Sequence, residues 1–166
     1  MRYQNGFSLL EVLIAIVVLS FGLLGLAGLQ LVGLANNQSA GTRYTATALA
    51  YDITDRMRAN MAGVSAGGYN GTAGADNACQ AVHYADVHAV PVICTPALLA
   101  QDDIYDWQAT IAGLLPGGTG SVCLDSTPST SACDGIGTSY AVSVSWTDKT
   151  KKGVATTKRV AVGFKP

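Results

Sequence analysis

The sequence predicts an α+β fold, a long N-terminal helix and a small antiparallel sheet, and three observations carry that prediction. An apolar run of 28 residues, Phe7–Leu34, contains one charged side chain, Glu11. An amphipathic stretch follows to about Met61, and near the C-terminus segments of alternating apolar and polar residues are separated by polar turns. The first pattern suits a helix in lipid, the second a helix lying on a protein core, and the third strands half-buried on one face.

The apolar run comes first. At about 1.5 Å per residue it is long enough to cross a hydrocarbon core of about 30 Å. A secretory signal has a shorter apolar region ending at small residues, so Phe7–Leu34 reads as a retained anchor. Arg2, on the short polar stretch before it, keeps the N-terminus on the cytoplasmic side. From Asn36 the pattern changes, with Tyr44, Ala48, Tyr51, Ile53 and Met57 at rough helical spacing and Arg43, Asp52, Asp55, Arg56 and Arg58 between them. Gly63, Gly67, Gly68, Gly71 and Gly74 then end the helix.

Residues 63–103 form a Gly-, Ala- and Asn-rich connection, with a short strand expected at Ala89–Cys94. Ile104–Leu115 places Ile104, Trp107, Ile111 and Leu114/Leu115 on one face and predicts a short amphipathic helix, which Pro116-Gly117-Gly118 stops. Strands are expected at Ser121–Leu124, Ser139–Thr147 and Lys158–Phe164. Three strands without long crossovers make an antiparallel meander, one face of which packs on the long helix.

The four cysteines, Cys79, Cys94, Cys123 and Cys133, fit no CxxC metal or redox spacing. An even number downstream of a membrane segment indicates disulfides in an oxidising compartment. Of the three pairings, the local one, Cys79–Cys94 with Cys123–Cys133, closes the shortest loops.

Charge excludes some functions. A net charge of −1 gives no global attraction to nucleic acid. The one basic cluster, Lys149, Lys151, Lys152, Lys158 and Arg159, reads as a solvated hairpin tip, with a phosphate or DNA contact as the functional rival. No aromatic side chains interleave it for base stacking. His83 and His88, with Asp86 between them, read as surface loop residues before metal ligands. Asp102, Asp103 and Asp106 lack EF-hand spacing and read as a solvated helix start. Leu115–Gly120 lacks the Gly-Lys-Ser/Thr ending of a phosphate loop and reads as a turn. No nucleophile and base stand together, so the chain reads as a non-enzyme without a cofactor.

The segment Gly6-Phe7-Ser8-Leu9-Leu10-Glu11-Val12-Leu13-Ile14-Ala15 resembles the class III signal of type IV pilins and type II secretion pseudopilins. The family places a Gly at the end of a short leader, then Phe, then Glu inside an apolar helix. The resemblance implies cleavage after Gly6 by a prepilin peptidase, methylation of the new N-terminus at Phe7, and an assembly role for Glu11, which compensates the amino terminus of a neighbouring subunit. The physics of Glu11 agrees, because an acid inside a membrane helix costs about 2.5–3.5 kcal/mol on insertion scales. Asp106-Trp107-Gln108, Leu114–Cys123 and the strand Tyr140–Trp146 are similar to the PilV-type minor pilins.

These resemblances imply a type IV pilin-like fold divided into a removed leader (1–6), a transmembrane or filament-core helix (7–34), an amphipathic helix entering the head (35–62) and an α+β head (63–166). They imply a minor pilin that primes assembly at or near a filament tip, in the inner membrane before assembly and on the cell surface after it. Its expected partners are major and minor pilins, prepilin peptidase and the inner-membrane assembly platform. The alternatives are a minor pseudopilin of a type II secretion system, and a tip adhesin or DNA-uptake module working through residues 63–103 or the hairpin Lys149, Lys151 and Lys152.

Overall fold

The structure is a computed structural model that describes residues 8–71, 74–77, 79, 93–127, 133–149 and 154–166. It contains α1 (Leu9–Ala59), α2 (Met61–Ser65), α3 (Pro96–Leu114), β1 (Thr119–Leu124), β2 (Tyr140–Lys149) and β3 (Ala155–Phe164). The chain divides into two compact units, one ending at Gly41 and one beginning at Thr42. The class is the expected α+β, a long N-terminal helix with a three-stranded antiparallel sheet and two disulfides.

The first unit is helix, capped at its start by Ser8, whose hydroxyl accepts from the Glu11 amide at 3.2 Å. The second unit holds the core. Ala46, Leu49, Ala50, Ile53, Thr54 and Met57 form the buried stripe of α1, spaced three and four apart. The stripe expected from the sequence is corrected here, since Tyr44 and Tyr51 are exposed and only Ile53 and Met57 of that set are buried. Ala46 and Ala50 are wholly buried, and the Trp107 indole donates to the Leu49 carbonyl at 2.7 Å. The buried Thr54 hydroxyl is satisfied by the Ala50 carbonyl at 2.8 Å.

Asn60 separates α1 from α2 and holds both to α3. Its Oδ1 accepts from the Gly63 amide at 3.0 Å while its Nδ2 donates to the Pro96 carbonyl at 2.8 Å. A side chain at Gly63 would meet that carbonyl at 2.5 Å, so the chain uses glycine there.

α3 starts eight residues earlier than expected. Thr95 caps it, accepting from the Leu98 amide, and Pro96 occupies its first turn. Ala100, Ile104, Trp107 and Ile111 are its buried face. Of the strand expected at Ala89–Cys94, residues 89–92 lie outside the described residues, and Ile93 and Cys94 are not in a strand. After α3, Gly117 takes φ +58° and the turn returns the chain into β1.

The sheet is the predicted meander, in order β1-β2-β3 with both pairs antiparallel. Val122, Tyr140, Val142, Val144, Trp146 and Phe164 point to the core shared with the second part of α1 and with α3. Cys79–Cys94 and Cys123–Cys133 are bonded, the local pairing.

Candidate functional site

Two sets of residues are candidates, the start of α1 and a polar cluster in the second unit. Gly6 and Phe7, the expected processing residues, lie outside the described residues, as do Lys151, Lys152, His83 and His88. Lys149 ends β2.

Glu11 stands in the first turn of α1. Its amide donates to both the Ser8 carbonyl, at 3.1 Å, and the Ser8 hydroxyl. Ser8 is therefore the N-cap, and Ser8-Leu-Leu-Glu11 has the residue types of a capping box. That local signal was legible in the sequence and was missed, because the same four residues also lie within the signal segment. An acid at this position is favoured by the unpaired amides of the first turn, so the position itself offsets part of the charge's cost in lipid.

Around Glu11 the surface is apolar on every side. All seventeen large apolar residues from Leu9 to Leu34 are exposed in the isolated chain, from 44% at Val17 to 82% at Leu9. An 18-residue window of α1 has mean hydropathy 2.7 with none of it buried. Such a surface has no counterpart in water-soluble monomers and requires lipid or other apolar helices. Ser20 hides its hydroxyl by donating to the Ile16 carbonyl at 2.7 Å, which suits a medium without water. Gly22, Gly25, Gly28 and Gly33 face open space, so the helix surface has four notches where a neighbouring helix can approach closely.

The polar cluster corrects the reading of Asp102 and Asp103 as a solvated helix start. Both lie inside α3 and are buried, 3% and 6% exposed. Asp103 accepts from the Tyr69 hydroxyl at 2.5 Å and faces the Arg56 guanidinium at 3.5 Å, and Asp102 accepts from the Asn77 amide at 2.7 Å. Tyr69 is wholly buried, and burial followed by the Asp103 carboxylate pushes its phenol well above the ordinary value. Asp106 is shifted upward by burial and then by Asp102. The partners come from α1, the turn after α2, the Asn77 loop and α3, so the cluster ties four segments of the head together. It holds carboxylates, a guanidinium and a phenol, but their hydrogen bonds are directed at one another, which is the arrangement of a structural network.

In the remaining loop, Asp134 accepts from the Ser126 amide and hydroxyl and from the Ile136 amide, and these donors pull its carboxyl below the ordinary range. Among the described residues no group of three His, Cys, Asp or Glu side chains is placed to hold a metal ion.

Residues 1–27 match the family described as the prokaryotic N-terminal methylation motif. Neither a curated protein sequence nor a solved structure matches the chain. From Ser8 onward the match covers Glu11 and most of the exposed apolar stretch of α1.

Proposed function

We propose that this chain, a type IV pilin- or pseudopilin-like subunit with a prepilin-type N-terminal methylation motif, is a minor pilin that primes pilus assembly and sits at or near the filament tip. One observation carries the reading. A single carboxylate, Glu11, is set at the capped start of a helix whose every large apolar side chain from Leu9 to Leu34 is exposed, directly after the matched leader. A surface of that kind serves first as an anchor in the inner membrane and then as a buried helix among other subunits. The same helix surface satisfies both environments, so a subunit can pass from lipid to filament without refolding.

In this reading prepilin peptidase cuts after Gly6 and the new N-terminus, Phe7, is methylated. The charged amino terminus of one subunit then pairs with Glu11 of another, which neutralises two charges in an apolar surrounding. The chain acts as a structural subunit rather than an enzyme. Its assignment to the minor class is supported by the similarity of Asp106–Gln108, Leu114–Cys123 and Tyr140–Trp146 to PilV-type proteins. The motif fits a type II secretion pseudopilin equally, and co-isolation with pilus or with secretion platform proteins separates the two.

The test is Glu11→Leu beside Glu11→Gln in a strain lacking the native copy. Removing the charge should favour insertion, by less than the ~2.5–3.5 kcal/mol that an acid costs at a helix centre, so membrane level and processing should be unchanged or higher. Glu11→Gln keeps the Ser8–Glu11 backbone bonds and the side chain's shape. If the charge is what matters, both variants should fall to a small fraction of wild type in sheared filaments. Normal incorporation of Glu11→Gln would sink the pairing and leave Glu11 a capping residue.

A further inference from the structure

The sheet has two edges, and the described residues close only one of them. Along the outer side of β1, the Val122 carbonyl accepts from the Gly71 amide at 3.2 Å. The Leu124 amide donates to Asn70 Oδ1 at 2.9 Å and the Leu124 carbonyl accepts from the Gly135 amide at 3.0 Å. Even-numbered residues of β1 therefore point their backbone groups away from β2. In an antiparallel ladder opposite residues exchange both backbone bonds or neither. With Thr119 opposite Ser145 and Tyr140 opposite Phe164, the even residues of β3 bond to β2 and the odd ones face outward. Ala155, Thr157, Arg159, Ala161 and Gly163 thus present their amides and carbonyls along an edge ten residues long. Among the described residues no backbone hydrogen bond reaches them from outside the sheet.

Charge says what such an edge accepts. Residues 149–166 contain six of the ten Lys and Arg residues and no acid, whereas residues 42–148 contain ten Asp and three Arg. Lys158 and Arg159 lie mid-strand, where they would face their own copies if two β3 edges paired antiparallel. The edge therefore repels a second copy of itself and favours a strand that carries carboxylates. Successive side chains of a strand alternate in face, so Lys158 and Arg159 stand on opposite faces of the sheet. That suits two consecutive acids on an added strand, one on each face, better than one continuous phosphate backbone.

We propose that the free edge of β3 takes an extended acidic segment of a neighbouring subunit as a fourth strand. The neighbour's existence rests on the filament reading above. The backbone ladder supplies binding along Ala155–Gly163, and Lys158 and Arg159 supply the selection for carboxylates.

Benzoylphenylalanine at Ala161 of the full-length chain, in cells that build the native machinery, tests this. Photolysis should link position 161 to a segment of another subunit bearing at least two closely spaced carboxylates. The double variant Lys158→Glu, Arg159→Glu should lower that product about tenfold. Thr157→Pro, which removes one outward donor but keeps both charges and the bonds to β2, should lower it comparably. Each variant is checked for both disulfides and for its thermal midpoint, and if the proline variant is destabilised the charge reversal alone decides. Cross-links to nucleic acid, to lipid or to β3 of a second copy would overturn the proposal, as would no cross-link or one that survives the charge reversal. The filament reading is scored separately, by the amount of unmodified chain in sheared filaments. Expected cross-links with no chain in that fraction would defeat the filament reading and leave the edge standing; filaments without the cross-link would do the reverse.

Discussion

Residues 8–41 and residues 42–166 share one helix and treat its side chains in opposite ways. Up to Leu34 apolar residues cover the whole circumference and all the large ones are exposed, and Glu11 is the one charge before Gly41. After it they shrink to a stripe, Ala46 to Met57, while Arg43, Asp52, Asp55, Arg56 and Arg58 occupy the rest. Backbone hydrogen bonding is the same in both parts, since a helix satisfies its own amides whatever surrounds it. The difference lies in the side chains alone, and it shows that one secondary structure can be written for two solvents in a single run.

The largest effect that would sharpen this contrast is in the head. Trp107→Ala removes a fully buried indole and its bond to the Leu49 carbonyl. It should cost about 3–5 kcal/mol, a large share of a small domain's stability. Denaturant unfolding should report that loss while membrane association stays at the wild-type level. An equal loss of membrane association would break the separation of the two parts.

Opening a disulfide should come next. Cys79→Ser with Cys94→Ser should cost about 3 kcal/mol in the chain-entropy model, read as a lower denaturation midpoint of the head. Insertion of the apolar helix should again be unaffected.

Tyr69→Phe takes a donor from the buried Asp103 and should cost about 1–3 kcal/mol near neutral pH. Its pH signature is more specific. The folded head holds the Tyr69 proton above the ordinary phenol value of 10.0, so at higher pH the unfolded chain binds fewer protons than the folded one. Stability must then fall as pH rises past about 10. Unfolding midpoints measured from neutral to alkaline pH should show that decline in wild type and a shallower one in Tyr69→Phe.

The smallest effect belongs to the first part. Ser8→Ala removes the hydroxyl that caps α1 and should cost about 1 kcal/mol, confined to the first turn. Faster exchange of the Glu11 amide in bicelles, with the head's amides unchanged, is the expected result.

How much could be read in advance follows the same division. The apolar run, the signal segment, the alternating strands and the helix around Trp107 are encoded in neighbouring residues, and all were legible. The first two turns of α3 were not, because Asp102 and Asp103 suggest solvent and become buried only through Tyr69, Arg56 and Asn77, which are 25 to 47 positions away in sequence. Thr95-Pro96 was a local start signal that went unread. The stripe on α1 was misplaced because Tyr44 and Tyr51 look like core residues, whereas the small Ala46 and Ala50 hold the buried face. At the candidate site, Glu11 was singled out by its charge in an apolar run, while its bond to Ser8 went unseen beneath the stronger motif.

The bond from Trp107 to the Leu49 carbonyl has a consequence for mechanical load. The indole is anchored to the backbone of α1 rather than to a side chain, and it is enclosed with Ala46, Ile53 and Ile104 in the core. A tug along the axis of α1 cannot be relieved by a side-chain rotamer change at Leu49. It must shear the indole past the helix backbone together with the packing around it. Traction on the second half of α1 is thereby passed directly to the buried core that holds the indole.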